Sequence, residues 1–161
     1  MAVSRILIVC SGNICRSPMA EAVLSAMDGG LVVDSAGTGG WHEGERMDSR
    51  ALDALATRGY DGSAHRARQV APRWLAQRDL VLAADRGHLR ALQRLATNVP
   101  GAAPIRLLGE FAGSNSGLEA PGVLDVPDPY YAGRDEFATC LDLIERCCDG
   151  LINAPIMNKR S

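Results

Sequence analysis

The segment Val9-Cys10-Ser11-Gly12-Asn13-Ile14-Cys15-Arg16-Ser17-Pro18 joins two kinds of local structure. The apolar run Arg5-Ile6-Leu7-Ile8-Val9 that feeds it reads as a buried strand. Ser17 to Leu24 reads as a helix, with Ser17 suited to the N-cap and Pro18 to the first turn. Cys10 and Arg16 therefore bracket a short loop between a strand end and a helix start. The N–H groups of such a loop, together with those of the first helical turn, make a concave anion site. Gly12 lets the backbone turn sharply or approach a ligand closely. Arg16 adds a planar fork that can hold two phosphate oxygens. The same field favours thiolate over thiol at Cys10, which is the nucleophilic form. A cysteine and an arginine at this spacing also fit a buried thiol and a surface cation. The strand–loop–helix setting, with Ser-Pro following, favours the catalytic reading.

Composition narrows the class. A chain of 161 residues suits one domain with a sizeable core, taken as residues 1–152, with a flexible tail over 153–161. A hydrophobic fraction of 47% with net charge −2 describes an ordinary soluble globule and offers no basic block for nucleic acid. No run is long enough to span a membrane, and Arg5–Val9 is too short and too early for a signal peptide. The five cysteines are odd in number and clustered as Cys10/Cys15 and Cys140/Cys147/Cys148. That suits a reducing compartment, hence a cytoplasmic protein, rather than a disulfide framework. His42, His65 and His88 have no zinc-ligand spacing, so no metal and no cofactor are expected. Cys140, Cys147 and Cys148 read as buried helix residues.

Along the chain, apolar runs and helical periodicities alternate. Ala20, Val23, Leu24 and Met27 share a helix face; Leu31–Ala36 is a second strand; Gly37–Gly44 is glycine-rich loop. Met47–Arg58 is a helix with Leu52, Leu55 and Ala56 inward, and Pro72–Gln77 a short helix. Asp79–Ala84 is a third strand, Arg86–Ala96 a helix, Ile105–Leu108 a fourth strand, Gly113–Asp125 a loop and Asp135–Cys148 the last helix. This alternation predicts a three-layer α/β fold, a parallel sheet with helices on both faces. In such sheets ligands bind beyond the carboxyl ends of the strands, where Cys10, the Ser35–Trp41 segment and Asp85 all fall.

Val9–Pro18 resembles the signature of the low-molecular-weight protein tyrosine phosphatases. Asp128-Pro129-Tyr130-Tyr131 resembles their second signature, and Asp34–Thr38, Trp41 and His65–Val70 are also similar. The likeness runs from about Arg5 to Cys148. It implies four parallel strands in the order 2-1-3-4, with the phosphatase loop between strand 1 and helix 1. It also implies a cysteinyl-phosphate mechanism on phosphotyrosine proteins, with Cys10 as nucleophile, Arg16 and loop residues Ser11–Cys15 around the phosphate, and Asp128 as acid. Asn13, Ser17, Ser35 and His65 match positions that brace the loop. Ile14, Trp41, Tyr130 and Tyr131 match the walls of the substrate slot. A monomer is expected.

Several readings stay open at this level. By spacing alone Asp128 is as readily a turn-forming Asp-Pro as an acid, with Asp125 next and Asp85 a third candidate or a support. Trp41, Tyr130, Tyr131 and His65 would equally serve ordinary packing. Cys15 is either a small buried residue or a thiol able to pair with an oxidised Cys10, making the enzyme redox-sensitive. The resemblance implies an apolar branched residue at position 14 for phosphotyrosine and threonine for phosphoarginine. Alternatives on the same scaffold are phosphoarginine phosphatase and arsenate reductase, the latter disfavoured because residues 80–90 contain no cysteine. A non-catalytic phosphate-binding or redox-sensing module is the alternative of a different class.

Overall fold

The computed structural model describes residues 2–113 and 125–158. Strands β1 (Arg5–Cys10), β2 (Val32–Gly37), β3 (Leu80–Ala83) and β4 (Ile105–Leu107) form one parallel sheet in the order β2-β1-β3-β4, as expected. Helices α1 (Arg16–Met27), α2 (Ser49–Thr57), α3 (Arg86–Ala96) and α4 (Arg134–Ile152) pack against it. Short 3₁₀ turns occur at Pro72–Ala76, Leu108–Phe111 and Pro155–Asn158.

The period of two along the strands explains why both sheet faces are covered. Ile6 and Ile8, with Leu80 and Leu82, face a core built with Val23 and Leu24 of α1, Leu55 of α2 and Phe137 of α4. Leu7 and Val9, with Val81 and Ala83, face the other way onto Leu75 and Leu92 of α3. Being central, β1 is sealed on both edges, and its last residue, Cys10, lies opposite Gly37 of β2. The β3 end is adjacent, with the Ala84 amide donating to Val9 O at 2.9 Å. The loop after Cys10 thus emerges between two other strand ends.

Several local expectations differ from the structure. Helix α2 starts two residues later than predicted because Asp48 caps it, its carboxylate accepting the Arg50 amide at 2.8 Å. Ala51, not Ala56, joins Leu55 on its buried face. Helix α4 runs on to Ile152 because Leu151 remains fully buried. Gly150 allows that extension: a Cβ there would stand 1.6 Å from the Phe111 carbonyl oxygen, so the helix meets the 3₁₀ turn backbone to backbone. The tail expected from Asn153 is not free at its start. Pro155–Asn158 makes a turn, and Met157 is buried in the larger core. Most of the loop expected over Gly113–Asp125 lies outside the described residues. Cys140, Cys147 and Cys148 are buried on α4, and burial pushes the Cys140 and Cys147 thiols up to about 12. Among the described residues no helix is long and apolar enough to cross a membrane.

Candidate active site

The loop between β1 and α1 is built around Asn13. It is fully buried and adopts φ 61°, the left-handed region that asparagine tolerates better than most residues. Its side chain accounts for the strain. Nδ2 donates to Ser17 Oγ at 2.8 Å and to Ser35 Oγ at 3.0 Å, and Oδ1 accepts the Arg68 amide at 3.0 Å. Its carbonyl lies 2.8 Å from His65 Nε2. Ser35 passes the chain on, donating to Glu21 at 2.6 Å. The fold thus places in one network the four residues, Asn13, Ser17, Ser35 and His65, that the resemblance grouped together.

Ser17 is not the helix N-cap expected of it, but it holds the loop-bracing position that the resemblance implied. Cys15 occupies the N-cap position of α1, and no side chain caps the helix. The Ser17 hydroxyl instead sits 2.9 Å from Cys10 Sγ, because Asn13 and the buried loop offer it closer partners than the helix amides do. The first N–H groups of α1 are therefore left to the loop, which is the arrangement an anion site requires. Gly37 permits the close approach of the loop after β1: a Cβ there would stand 2.5 Å from the Ser11 carbonyl oxygen.

Arg16 is 4% exposed. A buried guanidinium without partners would cost several kcal/mol, so its contacts decide whether the site is tenable. Nη1 donates to Asp85 at 3.0 Å and to the Val126 carbonyl at 2.9 Å, and Nη2 lies 3.6 Å from Asp128 Oδ2. Burial works to lower the Arg16 pKa, but Cys10, Asp128 and Asp85 outweigh it and the net shift is upward. Asp85 also caps α3, accepting the His88 amide at 3.0 Å. Asp85 therefore both supports Arg16, as one reading of the sequence had it, and caps α3. Burial tends to raise the Asp85 carboxyl, but the His88 amide and Arg16 hold it below its ordinary value.

Asp128 turns towards this cavity, and its Oδ1 accepts the Tyr130 amide at 3.1 Å, so it also makes the turn that Asp-Pro suggested. Asp125 is engaged elsewhere, accepting the Arg86 amide at 2.9 Å. The segment carrying Asp128 is held at both ends. Val126 N donates to Ala84 O at 2.8 Å on one side, and Arg50 donates to the Tyr130 and Ala132 carbonyls, each at 2.8 Å, on the other. Arg50 is itself oriented by Asp48, whose amide donates to Ile14 O at 2.9 Å. Asp48 and Arg50 thus tie the phosphate loop to the aspartate segment.

Cys10, Arg16, Asp128, Ile14, Tyr130 and Trp41 line one cavity of about 430 Å³, together with Tyr131 and Ser11. Ile14 is largely buried, whereas Trp41 and Tyr131 stand 72% and 94% exposed on the rim. Tyr130 and Tyr131 meet edge to face at 4.9 Å. Cys15 lies in the same lining, and burial first, then Asp48, pushes its thiol well above the ordinary range. Among the described residues no group of three or more His, Cys, Asp or Glu could hold a metal ion.

Sequence reasoning missed His42, Asp48, Arg50 and His88. His42 lines the cavity, and His88 is 6% exposed with Nε2 2.7 Å from Ser11 Oγ. The signal for His88 was its place one turn into a helix that starts at the β3 end. For Arg50 there was none, because its partners are backbone carbonyls about eighty residues away.

Comparison with known proteins agrees with this geometry. The family model described as low molecular weight phosphotyrosine protein phosphatase matches residues 5–161. A low molecular weight protein-tyrosine-phosphatase of Streptomyces coelicolor is 53% identical over 156 residues, covering 93% of this chain and 92% of that one. The crystal structure of a protein tyrosine phosphatase from Entamoeba histolytica, with Hepes in its active site, superposes with a TM-score of 0.85 at 31% identity, over 98% and 99% of the two chains. A Drosophila arginine phosphatase superposes with a TM-score of 0.82 at 28% identity, over 95% and 96%. The chain belongs to the low molecular weight phosphotyrosine protein phosphatase family.

The site has a defined acid response. Burial, the largest influence, lowers the His88 pKa, and Arg16 acts with it, against Asp85, Asp128 and Asp125. The unfolded chain therefore takes up this proton from its ordinary value of 6.5 downward, before the folded protein does, and stability falls with pH across that interval. Asp85 and Asp48, held below their ordinary 3.8, contribute stability that is fully present above that value and is lost as pH falls through the lowered ones. Denaturant unfolding between about pH 7.5 and about pH 3 is expected to show two stages of loss. His88→Gln should remove the first stage and leave the second, whereas an unchanged first stage would assign it to another group.

Proposed function

We propose that this protein is a protein tyrosine phosphatase that hydrolyses phosphotyrosine and other aryl phosphate monoesters through a cysteinyl-phosphate intermediate. The observation that carries the reading is the convergence of Cys10, Arg16 and Asp128 on one cavity at an uncapped helix start. Cys10 attacks phosphorus, and the phenolic oxygen leaves with a proton from Asp128. Loop N–H groups and Arg16 hold the equatorial oxygens, where positioning and electrostatics supply most of the catalysis. Asp128, now ionised, takes a proton from the water that attacks the phosphocysteine, releasing phosphate and Cys10 thiolate. Ser17, 2.9 Å from the sulfur, stabilises that thiolate as it departs. The substrates are phosphotyrosine proteins, and the free cysteines support a reducing compartment such as the cytoplasm, while the charge of −2 without a basic block supports a protein with no nucleic-acid partner.

Cys10→Ser is expected to abolish turnover of 4-nitrophenyl phosphate while the folded protein still binds inorganic phosphate; retained turnover would remove Cys10 as nucleophile. Asp128→Asn should slow esters with poor leaving groups far more than those with good ones, because a good leaving group hardly needs the proton. A plot of rate against leaving-group pKa reads this, and equal losses along the series would move the role elsewhere.

Substrate choice follows from the walls. Ile14 offers an aromatic ring an apolar face and gives a guanidinium no hydrogen bond. Phosphoserine is too short to pass Trp41 and Tyr131 and would leave their faces unused. Ring burial of this kind is worth about 2–4 kcal/mol. One peptide carrying phosphotyrosine, phosphoserine, phosphothreonine or phosphoarginine should give the highest kcat/KM for phosphotyrosine. Equal values for phosphoarginine would favour the activity of the Drosophila neighbour.

Cys15 supplies the redox part of this reading. Peroxide should inactivate the enzyme reversibly: it oxidises Cys10 to a sulfenic acid, and the Cys15 sulfur then attacks the Cys10 sulfur, its hydroxyl leaving as water as the disulfide forms. Peptide mapping after mild peroxide checks it. Sulfinic or sulfonic acid at Cys10, with no recovery on adding thiol, would leave Cys15 as a packing residue.

A further inference from the structure

His88 lies against the phosphate loop, yet the chemistry above gives it no task. Its ring is 6% exposed, between the start of α3 and the loop. Nε2 lies 2.7 Å from Ser11 Oγ. Nδ1 lies 3.1 Å from Asp85 Oδ1, off the direction of a hydrogen bond. Among the described residues it is the only fully buried side-chain nitrogen or oxygen without a hydrogen-bond partner. Such atoms are costly in a folded protein and mark places where something other than stability fixes the side chain.

We propose that His88 is a positioning residue for the phosphate loop, holding the Ser11 hydroxyl with one nitrogen while its other edge rests on Asp85, the carboxylate that holds Arg16. The inference rests on the phosphatase reading of the same cavity. The tautomer follows from the contacts. The nearby negative charge favours the proton on Nδ1, which turns the positive edge of the ring towards the Asp85 carboxylate 3.1 Å away. Nε2 then accepts the Ser11 hydroxyl hydrogen. Ser11 is gripped a second time through its carbonyl, which accepts the Gly39 amide at 3.1 Å. Two anchors leave the peptide groups around residue 11 little freedom, and these belong to the loop that must receive the phosphoryl oxygens. Asp85 meanwhile takes the His88 amide on Oδ1 and Arg16 on Oδ2. One helix start therefore sets the register of both the loop and the arginine.

A hydroxyl, an imidazole and a carboxylate in sequence also describe a nucleophile relay. The geometry argues against one here. The Asp85–Nδ1 contact lacks hydrogen-bond direction, and Asp85 is already committed to Arg16. His88 acts through Ser11 and Asp85, not on the reacting atoms.

The test compares the parent with His88→Ala, His88→Gln, Ser11→Ala and the Ser11→Ala/His88→Ala double variant. Two quantities are measured on each: kcat and KM for 4-nitrophenyl phosphate, and affinity for tungstate, a tetrahedral oxyanion, by calorimetry. His88→Ala and Ser11→Ala should each lower kcat about tenfold, the scale of one buried hydrogen bond, with KM changed less and tungstate affinity reduced in step. The double variant should be no worse than either single one, and His88→Gln, whose amide reaches a similar point, should recover most of the loss. Independent losses that multiply, a His88→Gln variant as impaired as His88→Ala, or a Ser11→Ala variant with parental kcat and tungstate affinity would each overturn the proposal. Should His88→Ala fail to fold, Ser11→Ala and His88→Gln decide by the same criteria. A parent that binds tungstate but turns over no ester would refute the phosphatase reading, and the tungstate affinities would then decide the role of His88.

Discussion

The buried amide of Asn13 is the constraint on which the site depends. The loop after β1 must reverse direction within a few residues and still present its N–H groups inward. That requires one residue in the left-handed region, at a cost of about 1 kcal/mol for a residue with a Cβ. Asparagine meets the cost because its amide reaches Ser17, Ser35 and the Arg68 backbone together. Each of those bonds, left unmade in a fully buried setting, would cost about 1–3 kcal/mol. The network therefore outweighs the strain and holds one loop conformation. Its branches run to Cys10 through Ser17 and to Glu21 through Ser35.

Two arginines then do different work from similar chemistry. Arg16 faces the cavity, and its partners are arranged so that a guanidinium can stay charged while buried. Arg50 faces the chain, and its partners are carbonyls of the segment carrying Asp128. It also lies over the Phe137 ring, 4.5 Å from its centroid, which ties that segment to the core under α4. A lysine could supply either charge but not the fork that spans two carbonyls or a carboxylate and a carbonyl. The candidate nucleophile and the candidate acid lie far apart in sequence, yet side chains that reach backbone set their relation.

Much of this was legible in the sequence for simple reasons. Apolar runs such as Ile6–Val9 and Val81–Ala83 mark strands buried on both faces, and their alternation with helical periodicity implies a parallel sheet. A cysteine, a glycine and an arginine between such a strand and a helix carry their chemistry locally, because a helix start is an anion site wherever it occurs. The resemblance then connected Asp128 to Cys10 across most of the chain. Errors came at the ends of elements. Ser17 has the composition of a cap, but tertiary partners compete for its hydroxyl; Asn153 follows a helix, but Met157 finds core to cover.

The amino-acid sequence by itself determined the fold class, the strand–loop–helix junction and the identity of the groups that meet there, because these follow from periodicity and short-range geometry. Only the tertiary structure decided which carboxylate does what. Asp85, Asp125 and Asp128 are chemically alike, and the chain sends one to Arg16 and a helix cap, one to the Arg86 amide and one to the cavity. It likewise decided that Arg50 and His88, assigned no role from the sequence alone, would stand against the site. Their partners are distant carbonyls and a serine just beyond the end of the neighbouring strand β1, and no local pattern encodes a contact made only after the sheet has assembled.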